Sequence, residues 1–295
     1  MRIAIKNVMI SNMENDILIE NGKILSIGKI VNDDIDVVIN GEGCSAFSGI
    51  VNSYFNGDVE DCDKLLCQGI TSVFDFSNNI EVTKKLVSLG LNVYSAVGDF
   101  DGNNVITETY LDEKVEEMLS AGIKAPILYV LNPNVEDETQ YEELIKYGKK
   151  HNYLIATSVS ENLEDVGLID KEYGISPIAL LESYGFLDYR NLLIDCVYVD
   201  KEDVNILTNY DTTICTCPTK NLINGSGIAP IYSFVKNNLN VVIGGNVKSI
   251  FQELELCKNL QSGNLNERDI LSSDDVLNMA NKNVKKVFNA VGELN

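Results

Sequence analysis

Histidine occurs once in these 295 residues, and that single count excludes any centre built from several imidazoles. Basic residues are scarce as well. Lys and Arg total 23 against 44 Asp and Glu, a formal net charge of −21. Such a surface repels nucleic-acid phosphates and anionic membranes alike, so neither is expected as a partner. No apolar run is long enough to span a bilayer. The opening MRIAIKNVMISNMEND lacks the basic-then-apolar order of a secretion signal. The seven cysteines are an odd number without paired CxxC clusters, so neither a disulfide framework nor a structural zinc is indicated. The expectation is a cytoplasmic protein with reduced, mostly buried thiols.

What is present is a globular composition. Hydrophobic residues make up 45%, enough to bury a core in one large domain or one domain with a small appendage. Short apolar runs at Met1–Val8, Asp16–Glu20, Lys23–Ile27 and Asp36–Ile39 predict a small antiparallel β unit over residues 1–44. From Ser45 onward the pattern becomes alternating. Eight apolar runs (Ala46–Val51, Ile70–Phe76, Leu91–Val97, Ala125–Leu131, Tyr153–Val159, Leu192–Val197, Thr212–Thr216 and Val241–Gly244) are separated by helical stretches. In Asp137–His151, Tyr141, Leu144, Ile145 and Gly148 fall on one helix face. Ser176-Pro177 has the form of an N-cap followed by a first helical residue. Eight such units over residues 45–295 predict an α/β fold, a (β/α)₈ TIM-like barrel, with an open doubly wound sheet as the alternative.

Four ordered segments carry a resemblance. Ser48-Gly49-Ile50-Val51-Asn52-Ser53-Tyr54-Phe55-Asn56 resembles PGLVNxHxH, and Gln68-Gly69-Ile70-Thr71-Ser72 is similar to a GxTT segment. Ser176-Pro177 through Leu192–Tyr198 resembles SPxxLL…LLAHCVH, and Cys217–Pro230 resembles CPTSNLxLGSGIAP. Val241–Asn246 is similar to VALGTDG. These are signatures of the amidohydrolase superfamily, in its chlorohydrolase, guanine deaminase and adenosine-derivative deaminase branch. The resemblance implies the barrel, with the N-terminal strands forming half of a β-sandwich. It also implies a zinc- or iron-activated water held by three histidines and an aspartate.

Position by position, those ligands are replaced. Tyr54 and Asn56 stand at the HxH pair, Ser158 at the fifth-strand histidine and Asn246 at the eighth-strand aspartate. Asp195 stands at the sixth-strand histidine that assists the water or substrate. Glu161, the family's proton shuttle, is retained. Hydroxyls and neutral amides are poor zinc ligands, so no metal or other cofactor is expected. The first expectation is therefore a pseudoenzyme, without metal-dependent hydrolysis, that binds a small molecule or a protein. The alternative is a deaminase-like hydrolase of C–N bonds in cyclic amidines or purines. Its rearranged site would use Glu161 and Asp195 as the acid/base pair, with Tyr54 and Asn246 as hydrogen-bonding groups. A third possibility is an assembly protein. The N-terminal strands lack the C-terminal strands that complete them in relatives, so a second copy or a related protein is the expected cover.

Other residues have plainer explanations. His151 ends a helix before the fifth barrel strand, on the face opposite barrel active sites. Cys196 and Cys217 lie in strand-end runs, where buried thiols are ordinary. Lys220-Asn221 with Gly225-Ser226-Gly227 hints at a phosphate cradle, but a glycine-rich stretch alone is a weak signal and shaping the loop is the simpler role.

Overall fold

The computed structural model describes residues 1–31, 34–102, 105–131, 138–246 and 249–291. The chain divides into two compact units, Met1–Ser48 and Gly49–Asn295.

The smaller unit is a four-stranded sheet in the order β3-β2-β1-β4, built from β1 (Arg2–Ile10), β2 (Met13–Glu20), β3 (Lys23–Ile27) and β4 (Val37–Asn40). The first three strands are antiparallel neighbours, and β4 joins β1 in parallel. Asp16 is the polar centre of this unit. It accepts from Lys6 Nζ at 3.0 Å and from the Asn7 and Ile30 amides, each at 3.0 Å. The Ile30 amide, offset in part by burial, and then Asn7 and Lys6 hold its carboxyl down at about 2. Ile24, Leu25, Ile27, Val37, Val38 and Ile39 remain exposed on β3 and β4.

The larger unit is an eight-stranded parallel sheet in sequential order. Its strands are β5 (Ile50–Phe55), β6 (Ile70–Asp75), β7 (Asn92–Asp99), β8 (Ala125–Val130), β9 (Leu154–Val159), β10 (Asn191–Asp195), β11 (Thr213–Thr216) and β12 (Asn240–Ile243). Every adjacent pair from β5 to β12 is parallel. Parallel strands need crossovers, and helices connect them here. Side-chain alternation sorts the core into two layers. Val51, Tyr54, Phe74, Tyr94, Ile127, Tyr129, Ala156, Ile194, Cys215 and Val242 pack on the inner side. Ile50, Phe55, Val73, Val93, Leu128, Ile155, Leu193, Ile214 and Val241 pack with residues of the surrounding helices.

Among the described residues the first and last strands meet without a backbone ladder between them. Asn52 Nδ2 donates to the Gly245 carbonyl at 2.8 Å, and the Gly245 amide donates back to Asn52 Oδ1 at 3.1 Å. Gly244 permits this approach, because a Cβ there would lie 2.1 Å from the Tyr54 nitrogen. The near-closed sheet is the TIM-like architecture the apolar alternation predicted.

Several elements differ from the sequence expectation. The first barrel strand runs Ile50–Phe55 rather than Ala46–Val51, continuing through the polar residues Asn52 and Ser53, which are buried within it instead of ending it. A helix at Leu163–Tyr173 was not anticipated. Of its residues only Ile169 is buried, so it leaves almost no apolar stripe to read. The chain's last two helices are Ser273–Met279 and Lys282–Val291. Ser176 caps the helix Pro177–Ser183 as expected, accepting from the Ala179 amide at 3.1 Å. The helix expected from Asp137 is seen from Glu138 to His151, Asp137 lying outside the described residues.

Candidate active site

The C-terminal ends of the barrel strands surround a cavity of about 300 Å³. That is at the small end for ligand sites and sits at the face where barrel enzymes work. Its walls are aromatic. Tyr54 follows from β5, Phe76 from the end of β6, Phe100 from the end of β7 and Tyr129 from β8. Tyr54 and Phe76 stack at 5.1 Å, Phe76 meets Tyr129 edge-on at 5.6 Å, and Phe100 lies 4.8 Å from Tyr129. Ser158 from β9 completes this wall, its Oγ sharing a 3.3 Å hydrogen bond with the Tyr129 hydroxyl.

The charged end of the cavity is made by three residues from separate elements. Lys220 comes from the short helix Pro218–Ile223 that follows β11. Its Nζ lies 2.7 Å from Asp195 Oδ2 and 2.9 Å from Glu161 Oε1, and 5.6 Å from the centre of the Tyr54 ring. Lys220 and Glu161 line the cavity, whereas Asp195 is completely buried behind them. Asn224 Nδ2 at 3.0 Å and Ser226 Oγ at 3.4 Å also donate to Glu161 Oε1.

Local backbone geometry delivers these groups. Inner Ile194 and outer Leu193 show the regular alternation of β10, and a left-handed turn at Asp195 (φ 76°) and Cys196 (φ 48°) ends it. Ser160, beside them after β9, is also left-handed at φ 52°. Each such non-glycine residue costs about 1–2 kcal/mol, a strain typical of functional strand ends. The Lys220 helix has no capping side chain of its own. Glu253, buried on the helix Ile250–Leu265, caps it from outside by accepting from the Thr219 amide at 2.8 Å and from the Thr219 hydroxyl.

The environment separates the two carboxylates. Burial raises Asp195 to about 6; Lys220 opposes the rise and Glu161 adds to it. Its Oδ1 is buried, with no hydrogen-bond partner among the described residues. Burial pushes Glu161 up as well, but Lys220, Asn224 and Ser226 together bring it below the usual carboxylate range. Burial would lower Lys220, yet Asp195, by its charge and its hydrogen bond, raises it, so it stays protonated.

These positions refine the sequence expectations. Tyr54, Asn56, Ser158 and Glu161 do meet at one cavity. Asn246 does not: it is exposed, with its amide 3.4 Å from Asp61 Oδ2. Asp195 is near Glu161 but is screened from the cavity, because Lys220 intervenes. The sequence suggests Lys220 only as part of a phosphate cradle or a loop-shaping stretch, not as the partner of these carboxylates. The available signal was its place at the serine of CPTSN, a new charge inside an otherwise retained motif. Cys196 and Cys217 are buried thiols that burial raises well above their ordinary value, which leaves no thiolate. His151 ends its helix against the rings of Tyr147 and Tyr153, before β9.

The donors around the cavity do not fit the divalent ion that the family resemblance implies. Burial raises the Tyr54 hydroxyl far above its ordinary range, Ser158 and Asn56 are neutral, and the one place flanked by two carboxylates holds an ammonium. Among the described residues no cluster of three or more His, Cys, Asp or Glu could hold a metal.

Comparison with known proteins bears on whether this site works. The chain is 25% identical to the 5'-deoxyadenosine deaminase of Methanocaldococcus jannaschii over 97% of its own length and 81% of that protein's. It is 26% identical to the 5-methylthioadenosine/S-adenosylhomocysteine deaminase of Pyrococcus furiosus, covering 97% of this chain and 82% of that one. Among solved structures, an adenosine deaminase from Xanthomonas campestris with bound zinc matches at a TM-score of 0.82 and 14% identity, over 98% of this chain and 80% of that one. Guanine deaminase from C. acetobutylicum with bound guanine matches at 0.74 and 18%, over 97% and 85%.

These relatives overturn the expectation of a pseudoenzyme with only a binding role. Similarity to deaminases runs through nearly the whole chain and favours the C–N hydrolase alternative. The amidohydrolase family model matches residues 59–295, most of the sequence, and the chain belongs to that family.

Proposed function

We propose that the protein is a C–N hydrolase that deaminates a cyclic amidine, with an aminated purine nucleoside as the substrate class. The observation that carries this is Glu161, held ionised at the cavity by Lys220, Asn224 and Ser226, beneath walls of Tyr54, Phe76, Phe100 and Tyr129. The relatives' names supply the substrate class. Aromatic walls suit a flat heterocycle, which stacks on such rings for about 1–3 kcal/mol per base.

The chemistry adds water to the ring carbon that bears the amino group. The water oxygen bonds to carbon, the C–N bond breaks, ammonia leaves and a ring carbonyl remains. Glu161 takes one proton from the attacking water and passes it to the ring nitrogen, and the proton left on the added oxygen moves to the amino group as the C–N bond breaks. The three donors converge on Oε1 and hold the carboxylate in place for this transfer. An ammonium has three N–H donors. Two of those of Lys220 are taken by Asp195 and Glu161, and the third steadies the oxygen as charge builds on it. Asp195 is too buried to touch substrate and acts by holding Lys220. The Tyr54 hydroxyl, neutral across the physiological range, serves as a hydrogen-bonding group on the wall.

Ammonia release is the direct measurement, using 5'-deoxyadenosine, 5-methylthioadenosine, adenosine and guanine as substrates. Turnover is expected on at least one, and Glu161→Gln is expected to lower kcat by about 10²–10⁴-fold with the fold intact. Absence of turnover across the panel, or full activity in Glu161→Gln, defeats the proposal.

A further inference from the structure

We infer that Lys220 is the resident cation of this barrel, a covalently tethered charge in the place between Glu161 and Asp195 that leaves no divalent-metal site. This goes beyond the deaminase assignment and does not require it.

Four observations converge. The ammonium contacts both carboxylates at hydrogen-bond distance, 2.7 and 2.9 Å. One of them, Asp195, is fully buried, and an uncompensated charge there would cost several kcal/mol. The remaining polar groups at the cavity, the hydroxyls of Tyr54, Ser77, Tyr129 and Ser158 and the amides of Asn56 and Asn78, are neutral and have little affinity for a transition metal. The lysine is also delivered by a fixed element, since buried Glu253 pins the start of its helix through Thr219. An incoming divalent ion would have to displace an ammonium from a buried ion pair and would gain only two charged ligands in return.

The test is chemical labelling of lysines in the folded full chain, by reductive methylation followed by peptide mass spectrometry, with and without excess zinc or manganese. Exposed Lys146 and Lys84 serve as internal controls. Lys220 is expected to be modified at least about tenfold more slowly than these, because an amine must lose its proton to react and two carboxylates hold that proton. Metal addition is expected to leave this protection unchanged. Asp195→Asn, which keeps shape but removes one charge, is expected to raise the labelling of Lys220 selectively. Lys220 reacting as fast as Lys146, or becoming reactive when metal is added, overturns the inference. So does stoichiometric zinc that survives gel filtration and is lost in Asp195→Asn. The wild-type arms stand even if that variant fails to fold. If Lys220 is protected but no substrate releases ammonia, the deaminase proposal fails while this one holds.

Discussion

At the residue scale, the site is a contest between burial and pairing. Asp195 and Glu161 share one lysine, but Asp195 is fully buried and Glu161 is reached by two further donors, so their affinities for a proton move apart. Asp195 has a folded value of about 6 against an ordinary 3.8. A raised carboxylate makes the folded state bind the proton more tightly. Its stabilising contribution is therefore full below about pH 4 and lost as pH rises through about 6. The stability of the wild type relative to Asp195→Asn should fall across that window by on the order of 3 kcal/mol and be level above it. Paired denaturation curves at several pH values check this, and a flat difference would contradict the assigned environment. Lys220→Arg is not expected to substitute for lysine. A planar guanidinium spreads its donors in a fork and lacks the compact charge that fits between two carboxylates from different strands.

At the element scale, the seam between β5 and β12 and the Lys220 helix are the joints on which the site depends. Gly244→Ala would press a Cβ to within 2.1 Å of the Tyr54 backbone, directly beside the cavity wall. It is expected to destabilise by about 1–3 kcal/mol or more, as overpacking does, and to lower the thermal midpoint measurably. Glu253→Gln should weaken the outside cap on the Lys220 helix. The expected outcome is a modest loss of stability, about 1–2 kcal/mol, with a larger fall in kcat than rise in KM. Denaturation and steady-state kinetics on the same preparation separate the two effects. These joints also show where the sequence was readable. Seven of the eight barrel strands were visible as apolar runs because a strand buried on both faces needs apolar residues at nearly every position. The first was displaced because Asn52 is a buried polar residue satisfied across the seam, by a partner 193 positions away that no local pattern reveals. The helix Leu163–Tyr173 was missed because it buries almost nothing. Tyr54, Asn56, Ser158 and Glu161 were found through the family motifs and do share one cavity, whereas the role of Lys220 required seeing β9, β10 and the helix after β11 converge.

At the scale of the whole molecule, charge is the dominant feature. The chain's net charge is −21, and the two ionised groups that line the cavity, Glu161 and Lys220, cancel. A neutral nucleoside enters such a field without penalty, while a nucleotide carrying a phosphate is repelled. For the proposed reaction, kcat/KM is expected to be lower for a 5'-phosphorylated substrate than for the matching nucleoside. The gap should narrow as salt shortens the reach of the field, and a salt series with both substrates measures it. Among the described residues no helix is long and apolar enough to cross a membrane.

The ammonium between Glu161 and Asp195 has a consequence for how the protein comes to maturity. Its positive charge arrives with translation itself, so every folded copy is equipped at birth. On the inference drawn above, competition among cellular ions, starvation for a trace element and mistaken loading by a stronger-binding neighbour in the first-row series have no purchase on this charge.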